Sequence, residues 1–432
     1  MVSVDAGLPG VPAVAGIPAS LDPVDWDPAG LPNDPHEVMS WIVDPSRRGE
    51  LYPLYHRLRR VAPVYRNRPE LFHGAWMFTR FAESDEAFRN ARMVNDPRVV
   101  EEAFNHGDGA FRSVMREVML WQRPEPHQRV RNLVKAAFTQ KAIARFRPIA
   151  EAVANGLCDR IEAAGHAEVV SQFNYELPFN VIARIIGIPE EDFPRVKQLA
   201  WDFARAGEKT VTADLARRGD DAARGFEAYF GELAESRRAA PGEDLLSSLL
   251  EAEADGERLT HSELIANCIL LLQAGHETTQ DLLGNAQVAL FRHPDQMGLL
   301  RERPEMTKNA AEEFLRYDTS VQINHRVALD GTRVGDVNID AGDMVYVLLG
   351  AVNRDPRRYP DPDRLDVTRQ PSHLAFSFGA YYCLGAALAR SEIHVGIKTL
   401  LQRFPGLRPA TGTFEWRDTL QLRGPLKLEV TW

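Results

Sequence analysis

A chain of 432 residues with 44% hydrophobic side chains can bury a large core, which sets it apart from disordered chains of low hydrophobicity. Its formal net charge of −10 argues against a general nucleic-acid binder, because neutralising phosphates takes clustered Lys and Arg, and points to small molecules or proteins as partners. Three widely separated cysteines, Cys158, Cys268 and Cys383, fit a reducing cytoplasm and predict no disulfide.

The opening "MVSVDAGLPGVPAVAGIPAS" has no basic segment and no sustained apolar run, so residues 1–35 read as a flexible lead-in and not as a signal peptide or membrane anchor. Length alone suggests two or three domains. No low-complexity linker, repeat or charge block divides the rest, however, so 36–432 is expected to form one domain. Apolar residues recur at helical spacing across 125–164, 175–187, 222–250, 261–292, 307–317 and 383–403. Strand-like runs are short: "WMFTR", "RVALD", "TRVGDVNI", "MVYVLLG" and "KLEVTW". The fold class expected is mainly α with small peripheral β-sheets.

The helix over 261–292 is apolar nearly all round in its first turns, the pattern of an element buried in the middle of a large domain. Into it comes "AGHETTQ". Gly275 weakens a helix by about 1 kcal/mol relative to Ala, and the Thr278 hydroxyl can back-bond to the preceding turn. His276-Glu277 begins the zinc pattern H-E-x-x-H, but the fifth position is Gln280, so half the helical ligands are missing. A buried polar network is the plainer explanation.

Cys158 and Cys268 lie inside apolar helical patterns and read as small hydrophobes. Cys383 differs. It follows "FSFGAYY", which cannot start a regular helix, and precedes "LGAALARSEIHVGIKTLL", a strong helix former. Its sulfur is therefore expected at a helix N-terminus, where free N–H groups and the helix dipole favour a thiolate. Such a thiolate serves either as a nucleophile with a nearby His or, more sharply, as a metal ligand.

"FSFGAYYCLG" resembles the haem-ligand loop F-x-x-G-x-x-x-C-x-G of the cytochrome P450 family. "AGHETT" is similar to that family's oxygen-binding central helix, "EEFLR" to its E-x-x-R pair, "DPDRLD" to the segment with its later arginine, and "PEPHQRVRNLVKAAF" to its haem-contacting helix. The resemblance runs from about Pro35 to the end. It implies a single large domain around a buried haem b, with Cys383 as the axial iron ligand, Phe376 shielding the sulfur, and Gly379 and Gly385 giving the macrocycle clearance. His127, Arg131 and Arg326 are implied as propionate donors. Ala274 and Gly275 lie on the oxygen side, Gly275 leaving room for oxygen or substrate. Thr278 is implied as hydrogen-bond donor to dioxygen and Glu277 as its link to solvent protons. Glu313, Arg316 and Arg364 read as a structural trio that supports the Cys loop.

Two departures from the family pattern stand out. Tyr381 occupies a position that usually carries a propionate-binding His or Arg, and Leu365 one that commonly carries Phe. The chain has no G-x-G-x-x-G after a strand, no flavin module and no C-x-x-C cluster, so it is not expected to take hydride from a nicotinamide by itself. Its resemblance to soluble bacterial members of the family implies a ferredoxin and ferredoxin reductase as electron donors. Arg129, Lys135, Lys141 and Arg145 are candidate docking residues. The resemblance implies a substrate pocket built from 93–120, 175–215, the helix before Ala274, 320–324 and 419–422, whose apolar residues include Phe104, Met119, Phe203, Leu271, Val321 and Leu420 and suit a lipophilic small molecule of secondary metabolism. The expected activity is a monooxygenase that hydroxylates or epoxidises that substrate. The alternatives are a haem protein that oxygenates nothing, or an atypical oxidation such as C–C coupling or nitration.

Overall fold

A computed structural model describes residues 30–96, 108–207, 212–251 and 259–432. The fold is mainly α with small sheets at its periphery, as expected. Its axis is the central helix His261–Arg292, which starts at a capping box: the Thr260 hydroxyl accepts from Glu263 N at 3.2 Å and the Glu263 carboxylate accepts from Thr260 N at 2.8 Å. Leu264–Ile269, Leu271, Leu272 and Asp281–Phe291 are buried, so the helix has no solvent face over most of its length. It packs against Glu176–Ile186 and against Ala386–Arg403, the helix that follows the Cys383 loop. Ala386–Arg403 is held in turn by Gln140–Glu162 and Thr307–Tyr317.

Close helix contacts explain several glycines. A Cβ on Gly396 would stand 2.8 Å from Leu283, and one on Gly284 2.6 Å from Pro425. Both distances lie inside van der Waals contact, so these positions let neighbouring elements approach.

The largest sheet has the strand order β1 (Val64–Arg66), β2 (Trp76–Phe78), β8 (Met344–Leu348), β5 (Ile323–Ala328), β3 (Met93–Val94), with β2 and β8 parallel and the other pairs antiparallel. β6 (Thr332–Val334) and β7 (Val337–Ile339) form a hairpin. Near the C-terminus β12 (Glu429–Thr431) lies between β4 (His166–Glu168) and β9 (Arg408–Pro409), and β10 (Glu415–Trp416) pairs with β11 (Pro425–Lys427).

The helices at 261–292 and 307–317 match their expected bounds. The run 125–164 is two helices, Pro124–Val134 and Gln140–Glu162, joined by a 3₁₀ turn. The run 222–250 also divides, into Ala213–Ala239 and Leu245–Glu251, because Pro241-Gly242 cannot continue a helix. Residues 30–35, expected in the lead-in, belong to the fold: Leu31 packs on an N-terminal core cluster and Asp34 caps helix Pro35–Val43. Phe104 and residues 1–29 lie outside the described residues, as do the side chains of Lys141 and Ala137.

Candidate active site

The Cys383 loop is shaped by its own backbone. Ser377 and Gly379 have left-handed φ of 61° and 72°, a conformation common for Gly and costly for Ser. The Ser377 strain is offset locally: its N–H donates to Leu374 O at 2.8 Å and its hydroxyl accepts from Arg326 Nη2 at 2.6 Å. A Cβ on Gly379 would lie 2.9 Å from the Phe88 carbonyl, so glycine is required twice over. Cys383 N–H donates to Phe376 O at 2.9 Å, which closes the loop.

Cys383 stands just before the N-terminus of Ala386–Arg403. Its sulfur lies deep in the protein yet is accessible, so it opens on an internal slot. A Cβ on Gly385 would meet nothing within 4 Å, so the space over this residue, two positions after Cys383, is open. Burial pushes the thiol pKa up, while the N–H groups of Gly385 and Ala386 and the charges of Arg131 and Arg390 pull it down. Phe376 lies with its ring under the Arg390 guanidinium at 4.6 Å, and Arg390 donates to Glu312.

The candidate propionate donors gather around this loop. His127 Nδ1 faces Met119 O at 2.9 Å and Nε2 faces Ala380 O at 3.2 Å. Two acceptors can both be satisfied only by an imidazolium, and burial lowers the pKa of this group. Arg131 Nη2 donates to Tyr382 O at 2.6 Å. Arg326 is 1% exposed, its pKa pushed down by burial to about 10, and it donates to the neutral oxygens of Asn95, Asn324, His325 and Ser377 while Nε has no hydrogen-bond partner. A buried guanidinium on neutral oxygens, an imidazole facing two carbonyls and an open slot beside a sulfur together fit a flat, anionic macrocycle with a soft metal.

Tyr381 sits among these donors, its ring 4.4 Å from His127 and 5.0 Å from the Arg326 guanidinium. Its hydroxyl makes a long 3.4 Å contact with Gln122 O. The departure from the family residue thus replaces a charged donor with a ring that packs at a tilt on His127 and lies beneath the Arg326 guanidinium.

On the central helix, burial breaks at the predicted place. Ala274 is exposed and Gly275, Glu277 and Thr278 are half-buried, although the helix crosses the middle of the fold. The Thr278 hydroxyl donates to Ala274 O at 2.9 Å, and the helix runs on without a break. His276 turns away into a core of Tyr175 and Phe179, its Nδ1 facing Leu272 O at 2.7 Å. The missing Cβ of Gly275 would lie 2.8 Å from Ile182, so this glycine gives clearance to helix Glu176–Ile186.

Glu313 and Arg316 form a two-pronged pair at 2.7 and 2.8 Å, both fully buried. Arg316 also reaches the carbonyls of Asn353 and Pro362 and, at 3.3 Å, that of Arg364. Here too the sequence reading is corrected: Arg364 contributes its carbonyl while its side chain is exposed, and the second guanidinium at Glu313 is Arg369, 3.4 Å away. Asn353 Oδ1 accepts from Leu374 N, which ties this support to the start of the Cys loop.

Of the pocket candidates, Met119, Phe203 and Leu271 share the main core, while Val321 and Leu420 pack on separate clusters. Of the docking candidates, Lys135 and Arg145 are exposed, whereas Arg129 is half-buried and paired with Glu263. The sequence reading missed Glu312, Arg369, Arg390 and Arg417. Each is placed by a contact across tens of residues or more, and nothing local marks them.

A cysteine at a helix N-terminus beside a slot ringed with cations defines a haem-thiolate class of site. The sequence model of the family "Cytochrome P450" matches residues 211–413. The chain is 37% identical over 367 residues to the biotin biosynthesis cytochrome P450 of Bacillus subtilis strain 168, covering 85% of this chain and 91% of that one. It is 38% identical over 397 residues to nocardicin C N-oxygenase of Nocardia uniformis subsp. tsuyamanensis, covering 89% and 96%. Among solved structures, P450BioI in complex with an acyl carrier protein bearing hexadec-9Z-enoic acid superposes with TM-score 0.84 at 35% identity over 90% of this chain and 99% of that one. A myxobacterial cytochrome P450 in complex with myristic acid gives 0.81 at 33% identity over 90% and 97%. The chain belongs to the cytochrome P450 family, monooxygenases that use a haem-thiolate iron, dioxygen and a redox partner. Among the described residues no helix is long and apolar enough to cross a membrane.

Proposed function

We propose that this protein inserts one oxygen atom of dioxygen into a lipophilic small molecule, by hydroxylation or epoxidation, in the biosynthesis of a secondary metabolite. It uses haem b, works in the cytoplasm and takes two electrons from a ferredoxin served by a ferredoxin reductase. The observation that carries the reading is Cys383, accessible in a deep slot at a helix N-terminus, with His127, Arg131 and Arg326 around it.

When bound, the haem iron with its thiolate ligand supplies dioxygen activation, the thiolate favouring O–O cleavage. The chain's own residues do the rest. The Gly385 and Ala386 N–H groups hold the Cys383 sulfur. Arg131, Arg326 and His127 hold the carboxylates. Thr278 gives its one hydroxyl hydrogen to Ala274 O, so in this arrangement its oxygen accepts at the oxygen side, and it donates there only when that back-bond opens. Glu277, one residue before it and half-buried, relays protons from solvent. Two relatives' structures hold fatty acyl chains, which makes long-chain acids and their carrier-protein thioesters the first substrates to screen.

Reduced protein under carbon monoxide is expected to show the strongly red-shifted Soret band of a thiolate ligand, and Cys383→His to lose it. A histidine-like spectrum in the wild type would overturn the ligand assignment. Thr278→Ala is expected to divert reductant from product into peroxide while leaving that spectrum intact; unchanged coupling would remove Thr278 from the proton route.

A further inference from the structure

Glu277 does not stand alone in the fold. Arg417 Nη2 donates to its Oε1 at 3.2 Å, and Nη1 of the same guanidinium donates to Asp281 Oδ2 at 3.1 Å and to Oδ1 at 3.4 Å. Glu277 and Asp281 are one helical turn apart, so both carboxylates project from one side of the central helix. Glu277 is 21% exposed and Asp281 0%, which puts one end of the cluster at solvent and the other in the interior.

The cation comes from the base of the C-terminal hairpin. Arg417 N–H donates to Gly424 O at 3.0 Å, between β10 and β11. A Cβ on Gly424 would lie 2.4 Å from Asp281 Oδ1, so the hairpin backbone is pressed against the buried carboxylate. Beyond that base the hairpin is stitched to the segment before β5: Gln322 N donates to Gln421 O at 2.8 Å and Arg423 N to Ser320 O at 2.7 Å. Asn285, one turn after Asp281, donates to Arg423 O at 2.9 Å. The hairpin is therefore tied both to the central helix and to the segment leading into the strand that carries Arg326.

We propose that Arg417 is a positioning residue for Glu277, holding its carboxylate against the hairpin together with Asp281 and so fixing the side from which protons reach Thr278. This rests on the reading of Glu277 as the proton relay. One guanidinium cannot neutralise two carboxylates. Burial pushes Asp281 up to about 7, with Arg417 pulling it down and Glu277 pushing it up. Below neutrality a protonated Asp281 leaves Arg417 to Glu277; above it the two carboxylates compete for the guanidinium. Arg423, the other cation of the hairpin, is taken by Asp318 at 3.0 Å.

The test uses the haem-loaded protein with a surrogate ferredoxin and ferredoxin reductase, reading the solvent isotope effect on oxygen consumption without added substrate. Glu277→Gln and Arg417→Gln are each expected to raise it, the double variant no further than Glu277→Gln alone, and Arg417→Lys to restore most of the wild-type value. An isotope effect that rises in Glu277→Gln but not in Arg417→Gln, or an additive double variant, overturns the positioning role and leaves the relay standing. No rise in Glu277→Gln overturns the relay, and this inference with it. A second readout needs no turnover: the infrared band of the Asp281 carboxyl, assigned by its loss in Asp281→Asn, should titrate near neutrality and move up by about 1–3 pH units in Arg417→Gln. A band that does not move overturns the shared ion pair.

Discussion

The sulfur side and the oxygen side of this site are built differently. On the sulfur side, Glu313, Arg316 and the Asn353 and Pro362 carbonyls form a buried, hydrogen-bonded network behind the Cys loop, joined to it where Asn353 accepts from Leu374 N. On the oxygen side, Thr278 bonds its own helix, and Glu277 shares one largely buried guanidinium with a buried acid. A saturated buried network fixes an atom in one place. Glu277, at 21% exposure and on a cation it shares with Asp281, is held less tightly. The iron ligand requires the first property and a proton relay the second.

If that contrast is real, the largest stability effect lies under the sulfur. Arg316→Ala removes both short hydrogen bonds from the buried Glu313 and leaves it only Arg369 at 3.4 Å and the Asp366 N–H, which should cost about 3–5 kcal/mol, read as a lowered denaturation midpoint and poor haem retention. A cost below 1 kcal/mol would dissolve the distinction between the two sides.

Next comes acid sensitivity. Burial pushes Glu312 up, but hydrogen bonds from His373 and Arg390 outweigh it and hold the carboxyl at about 2. A pKa depressed by folding adds stability that is fully present above the unfolded value of 4.5 and is lost as pH falls from there towards about 2. Because Glu312 is partly exposed, the contribution is at most about 3 kcal/mol. Glu312→Gln should therefore be less stable than wild type at pH 7, with the gap closing through that acid window. Equal destabilisation at all pH values would mean that packing, and not charge, explains the residue.

The smallest effect is expected on the oxygen side. Gly275→Ala gains about 1 kcal/mol of helix propensity and loses about 1–3 kcal/mol by pressing a Cβ on Ile182. Its net cost should be near 1 kcal/mol and should vanish in an Ile182→Ala background. If the cost persists there while substrate binding weakens, the glycine serves the pocket after all.

What could be read from the sequence followed from spacing within single segments. "GAYYC" before a helix former placed Cys383 at a helix N-terminus, and the E-x-x-R spacing put Glu313 and Arg316 one turn apart. The i, i+4 relation of Glu277 and Asp281 was equally available, but nothing local showed that both face a cation. "APGED" carried a helix stop that apolar periodicity across 222–250 obscured, because buried helices on either side of a short turn share the same period.

By itself, then, the sequence determined the family, the main helices and the place of Cys383 at a helix start, because a cysteine before a helix former and an alcohol beside an acid on a buried helix are written within a few residues. The tertiary structure decided which arginine answers each carboxylate. Arg369 and not Arg364 reaches Glu313, Arg417 reaches Glu277, and Ile182 fills the space beside Gly275. Ion pairing depends on where two long side chains meet after distant segments pack, and no spacing along the chain encodes that.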